Sequence, residues 1–423
     1  MFSILINYGF FSTFTYKYSN VKNIHRETAV GISKPKSLDI APLNNGINLN
    51  TDPSYSNKFS RASYEQVNVT RPFQAMILKH LGDILFVKEP TDSQTFGNIF
   101  IYNITDPSNP RLINKLVSYR SEQKILCFDV NKDLLGLAIE YYNNSYHHIF
   151  YIYNISDINN ITLISNNTEV PRPISMFMGK NITIFFYIDN WELRMVTYNI
   201  TDPKNVTLIS TKTITSIDAY YPFSFYYTDI NVNDTNLFFV SECGILAVIN
   251  ISNEYDPQII STTILHAGGF GVDVYENNVF VAAGLSGIKI YNASNTTNIK
   301  LISSFNDTLT CSMDLEILNN ESIIVADNAF GLHILNISDL NNITEIKMFN
   351  ASDRMMDIEK VNNTVFVADM QAGIEIYNAS DTNNITLIKE YYIIKESGYA
   401  TPGFSIGMHR QDHDPQKLSL IHI

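Results

Sequence analysis

A chain of 423 residues, 45% hydrophobic and 17% charged, carries enough apolar material for a large core, which argues against global disorder. Its formal net charge of −13, with no offsetting basic cluster, repels phosphate backbones, so nucleic acid is not an expected partner. No run of about 18 apolar residues occurs, so no transmembrane helix is expected.

The 25 Tyr and 25 Phe, with abundant Ile, Val and Thr, favour strands. The heavy use of Asn favours turns. Together they predict many short strands with many corners. Along the chain, residues 1–71 read as an N-terminal leader with a degenerate signal region and a first edge strand. Met1 to Phe14 reads MFSILINYGFFSTF and lacks both a basic start and a clear small-residue cleavage site. It reads either as an atypical secretory signal or as a loosely packed leader.

From residue 72 to 392 one phrase recurs. It appears as GNIFIYNITDPSNPRLI from Gly97, HIFYIYNISDINNITLI from His148, ELRMVTYNITDPKNVTLI from Glu192 and GILAVINISNEYDPQII from Gly244. It returns as GIKIYNASNTTNIKLI from Gly287, GLHILNISDLNNITEI from Gly331 and GIEIYNASDTNNITLI from Gly373. The anchoring asparagines are Asn103, Asn154, Asn199, Asn250, Asn292, Asn336 and Asn378, spaced 42 to 51 residues apart.

Each repeat parses into four strands. In the last, Met355 to Val361, Val365 to Ala368 and Ile374 to Tyr377 alternate or run apolar between Asn and Gly turns, and a fourth strand opens at Ile385. No segment shows a sustained helical period. A four-stranded unit of about 40–50 residues repeated many times is the pattern of a propeller blade. Radial packing buries both faces of each sheet, which one sheet cannot do alone. The expected fold is therefore an all-β, seven-bladed β-propeller.

This phrase resembles the LVIVD repeat of bacterial and archaeal β-propeller proteins, which runs roughly G-L-x-I-V-D-V-S-D-P-x-N-P-x-L-V. Asp106-Pro107 and Asp202-Pro203 keep the Asp-Pro step, and Val325–Asp327 and Val367–Asp369 match the V-A-D upstream of the glycine turn. Asn replaces the mid-motif Asp in every copy, and the later repeats lose the prolines. The resemblance implies the propeller fold and a surface-associated or secreted placement, with a cytoplasmic placement as the alternative.

Residues 393–423 complete the chain. Gly398 to Met408 resembles the opening of another repeat, so an eighth blade is expected to begin here. Leu418 to Ile423 reads LSLIHI, which resembles a translated sequencing-library adapter, so the tail reads either as an artefact or as a real C-terminal segment.

Candidate sites follow from the fold. Asp129, Asp273, Asp314 and Asp357 fall in the expected innermost strands, where they either hold a hard cation or fix their blades by accepting hydrogen bonds; three blades are expected to lack such a residue. Asp327 and Asp369 read as Asx-type turn residues. Tyr119, Tyr220, Tyr221, Phe270 and Tyr392 fall at blade-to-blade connections and read either as a recognition surface or as plugs between blades. The seven anchoring asparagines are also glycosylation sequons, as are Asn160, Asn205, Asn342 and Asn384. Cys127, Cys243 and Cys311 are too widely spaced for a disulfide framework and read as small buried hydrophobes. His147 and His148 are expected on opposite strand faces. Gly268, Gly269 and Gly271 read as a plain blade-to-blade turn. No catalytic, cofactor or metal motif occurs. The resulting expectation is a non-enzymatic, monomeric binding propeller with a protein or glycan ligand. The alternatives are a hydrolase or lyase using channel carboxylates and an intracellular scaffold.

Overall fold

The computed structural model describes residues 76–89, 97–116, 123–217, 227–328, 331–349, 354–369, 373–391, 406–410 and 418–422. All of them lie in the compact unit Val69–Ile423. Among the described residues there are 30 strands and no helix.

Seven four-stranded antiparallel sheets follow one another, each with its strands side by side in chain order. These blades span 77–116, 123–169, 173–216, 228–264, 271–305, 312–349 and 355–391. The last comprises Met355–Val361, Thr364–Asp369, Gly373–Asn378 and Thr386–Tyr391, close to the strands expected from alternation.

Period-two alternation sends successive side chains to opposite sheet faces, and here both faces are buried. In the second strand of blade 4, Asn236–Ser241, Leu237 and Phe239 pack toward blade 3. Phe238 and Val240 pack toward blade 5. Seven such hydrophobic clusters fill the seven seams between neighbouring blades, and the seventh joins blade 7 to blade 1. The blades thus close into a ring around a channel lined by the first strand of each.

The repeat asparagines build the third-to-fourth turn. In all seven blades the anchoring Asn Oδ1 accepts the N–H of the residue two positions on. The hydroxyls of Ser156, Ser252, Ser294 and Ser338 donate to the same oxygen. A second Asx turn follows at Asp106, Asp157, Asp202, Asn253, Asn295, Asp339 and Asp381. The residue after each anchor donates its N–H to the first-to-second turn, as Ile337 N does to Glu321 O at 2.8 Å. The recurring asparagine is therefore explained by a turn that only a short polar side chain completes.

Every outermost strand carries a register shift against its neighbour. Such bulges twist an exposed edge and discourage it from pairing with another chain. Ile406–Arg410 and Leu418–His422 pair as a separate two-stranded antiparallel sheet. Met1 to Phe14 and most of the expected eighth-repeat opening lie outside the described residues.

Asn336→Ala removes the acceptor of two turn hydrogen bonds and is expected to cost about 1 kcal/mol. The denaturation midpoint measures it. An unchanged midpoint would show that the turn holds without the Asx bonds.

Candidate functional site

In a four-stranded antiparallel blade, the first strand begins at the end where the second turns into the third. The residues opening the channel strands therefore gather at one mouth, ringed by the second-to-third turns. Met76, Tyr227, Phe270, Met313 and Met356 form an apolar collar around a cavity of about 260 Å³. The rings of Tyr227 and Phe270 lie 5.7 Å apart, tilted by 50°. The glycine run explains the fit: a Cβ at Gly268 or Gly284 would strike Phe270, and one at Gly271 would strike the Asp314 carboxylate.

Further along the same strands the chemistry turns acidic. Among the described residues, Asp129, Asp229 and Asp357 line the cavity with one cation, Lys79. Each channel aspartate reaches across a seam to the backbone of the next blade. Asp129 Oδ2 accepts Met178 N at 2.7 Å, Asp229 Oδ2 accepts Val272 N at 2.9 Å and Asp273 Oδ2 accepts Ile317 N at 2.9 Å. Asp314 Oδ2 accepts Ile358 N at 2.7 Å, and Asp357 Oδ2 accepts Leu78 N, which closes the ring. Glu359 reinforces that closure by accepting His80 N at 3.1 Å and pairing with the His80 ring.

Lys79 stands on the channel strand of blade 1. Its Nζ lies 3.8 Å from Asp229 Oδ1, on blade 4 across the channel. Burial alone would lower its pKa. The charges of Asp229, Glu359, Asp129 and Asp357 outweigh burial and hold the ammonium above its ordinary value. One lysine thus counterbalances carboxylates from three other blades.

The carboxylates feel burial in the opposite sense. Burial pushes Asp129 up to about 6, against the opposing pull of Lys79 and Met178 N–H. It pushes Asp357 up to about 7, against a hydrogen bond with Asp314 and the charge of Lys79. Asp314 is raised well above the carboxylate range by burial and then by Asp357 and Asp229. Glu316 is raised by burial and then by Asp273. Carboxyls crowded this closely share protons rather than all ionising.

Asp129, Asp273, Asp314 and Asp357 all stand on channel strands, as the repeat predicted, but they bind neighbouring blades rather than one another's ligand. Among the described residues no group of three or more His, Cys, Asp or Glu assembles at metal-holding geometry. The expectation that three blades lack a channel carboxylate is corrected, because blade 4 supplies Asp229. Its signal was an Asp-aliphatic dipeptide: Asp229-Ile230 matches Asp129-Val130, Asp273-Val274, Asp314-Leu315 and Asp357-Ile358.

Asp327 was expected to make an Asx turn. Its carboxylate holds the incoming loop, accepting Thr310 N, Thr310 Oγ1 and Cys311 N; the turn residues 329–330 lie outside the described residues. Cys127 and Cys243 are buried as expected, while Cys311 is only half-buried. Phe270 joins the collar; Tyr119, Tyr220, Tyr221 and Tyr392 lie outside the described residues. No helix among the described residues is long and apolar enough to cross a membrane.

No protein-family model matches the chain, and no curated protein matches it. Solved structures do share its fold. Sqt1 of Saccharomyces cerevisiae is 9% identical over 84% of this chain and 94% of its own, with a TM-score of 0.54. Sqt1 of Chaetomium thermophilum, solved bound to the N-terminus of the ribosomal protein L10, is 11% identical over 76% of this chain and 89% of its own, with a TM-score of 0.53. At these identities the likeness establishes the propeller fold alone.

The raised carboxyls set a pH dependence. Each is more readily protonated folded than unfolded, so its stabilising effect is complete below the ordinary carboxylate pKa near 3.8 and is lost as pH rises through about 6 for Asp129 and about 7 for Asp357. Asp357→Asn keeps an acceptor for Leu78 N but cannot ionise. Its stability relative to the parent is expected to improve between pH 4 and pH 8. Denaturant titrations giving a pH-independent difference would contradict this account.

Proposed function

We propose that the protein is a non-enzymatic interaction propeller that receives a basic segment of a partner polypeptide at the channel mouth. One observation carries the reading: among the described residues, the cavity places Asp129, Asp229 and Asp357 against one cation, Lys79, beneath a collar of methionine and aromatic side chains. The acidic wall attracts cationic side chains. Thioethers are polarisable and adapt to varied apolar surfaces. The net charge of −13 steers such a partner toward the chain.

The channel aspartates favour binding over hydrolase or lyase chemistry, since each spends an oxygen on a neighbouring blade's amide. The propeller of Chaetomium thermophilum Sqt1, bound to the N-terminus of a ribosomal protein, supports capture of a chain segment as a use of this fold. The LVIVD-like repeat favours a secreted or surface-associated, monomeric protein over an intracellular scaffold.

The test uses labelled ten-residue peptides of alternating lysine and serine, with alternating glutamate and serine as control. The basic peptide is expected to bind more weakly as salt rises, and Asp229→Asn to weaken it about tenfold. Equal binding of both peptides, or none of the basic one, would sink the reading.

A further inference from the structure

Strand register stacks the channel side chains in two tiers. Opposite the third residue of the second strand stand Lys79, Asp129, Asp273, Glu316 and Glu359 of blades 1, 2, 5, 6 and 7. Opposite the fifth stand Asp229, Asp314 and Asp357 of blades 4, 6 and 7. Blade 5 leaves its place in this second tier to Gly271. The Asp314 carboxyl fills the room that a side chain at Gly271 would need.

Three of these carboxyls are met by a basic or amide side chain. Lys79 Nζ lies 3.8 Å from Asp229 Oδ1, Glu359 pairs with the His80 ring, and Asp273 Oδ1 accepts Asn231 Nδ2 at 2.8 Å. Asp314 and Asp357 meet each other. Each gives its Oδ2 to a backbone amide, Ile358 N and Leu78 N respectively, and the two carboxyls hydrogen-bond together. Ionised carboxylates only accept, so a bond between two of them requires a retained proton. Asp357 is the member of the pair on the cavity wall.

The groups around the pair decide whether that proton stays. Asp229, from blade 4, adds negative charge that retains it, while Lys79, from blade 1, opposes retention at Asp357. Glu316 and Glu359 stand one tier away on the pair's own strands, level with Asp129 and Asp273. Asp327 and Asp369, both buried, end the second strands of the same two blades. Blade 3 places Ser175 and Phe177 in the two tiers. Blade 2 places Cys127 in the second, its thiol pushed up to about 12 by burial and therefore neutral.

A cation brought into this field changes the balance. Positive charge beside a carboxyl favours the ionised form, so a proton leaves as the cation enters. The coupling is reciprocal: a ligand that expels protons is itself expelled when protons are abundant.

We infer that the cavity exchanges protons for cations: a lysine ammonium of the partner, entering against Asp357, takes the place of the proton held between Asp357 and Asp314, so the basic segment is held at mildly alkaline pH and released on acidification. The inference rests on the reading that the cavity receives a basic segment, and it names how that same site is regulated. The sign follows from the empty site. Asp357 is raised to about 7 and Asp129 to about 6, so both hold protons at pH 6 that an entering cation must displace. At pH 8 little remains to displace, and affinity is higher.

The probe is the ten-residue lysine–serine peptide, acetylated and amidated so that only its lysines carry charge, and these stay charged throughout the range. Calorimetric titration in phosphate and in Tris, which differ in ionisation enthalpy, counts the protons. The parent is expected to bind about tenfold more tightly at pH 8 than at pH 6 and to release about one proton per peptide near pH 6.5. Asp314→Asn/Asp357→Asn keeps both amide acceptors and should reduce the pH effect to about twofold. His80→Asn should leave the release unchanged. Equal affinity at the two pH values, binding without proton release, or loss of the release in His80→Asn overturns the inference while the basic-segment reading stands. The parent's titrations decide the matter even if the double variant does not fold. A parent that binds the basic peptide at neither pH overturns both.

Discussion

An aspartate on one channel strand accepting a backbone N–H from the next blade is the interaction on which the ring depends. Sheet hydrogen bonds hold each blade together and cross between blades at the Gly284–Ser312 bridge, while apolar packing between sheets is tolerant of sliding. The carboxylate bond is directional. It ties blade 2 to 3, 4 to 5, 5 to 6, 6 to 7 and 7 to 1, so five of the seven seams have a fixed register. At the 3–4 seam the Thr228 hydroxyl donates to Ile174 O at 3.4 Å, a longer and uncharged contact.

That arrangement brings a burden of its own. Carboxylates drawn toward one axis repel each other, and burial removes the water that would screen them. The chain answers with a lysine from blade 1 that extends toward blade 4, and with protons retained between neighbouring carboxyls. The cavity inherits the remainder of that field. Its acidity is thus a by-product of how the ring is fastened.

The repeat made most of the fold legible. Seven anchoring asparagines, alternation and glycine turns specify strands, corners and blade number because each is a local demand of backbone geometry. The site was legible only where its residues recur. Asp129, Asp273, Asp314 and Asp357 stood out as recurring Asp-aliphatic pairs on the channel strands, at two register levels, whereas Asp229 was passed over although its Asp-Ile dipeptide fits the same pattern. Lys79 occurs once, and its importance comes from carboxylates on distant blades that converge only when the ring closes. Asp327 sits beside a glycine turn yet serves a loop 16 residues away in the chain.

Every blade is one unbroken stretch of chain, with no strand borrowed from the opposite end of the repeat array. The last seam is therefore made of the same materials as four of the others: a hydrophobic cluster, a carboxylate and an amide. In structural terms the ring has no first blade. Whole repeats are the natural unit in which such a ring grows, shrinks or is rearranged.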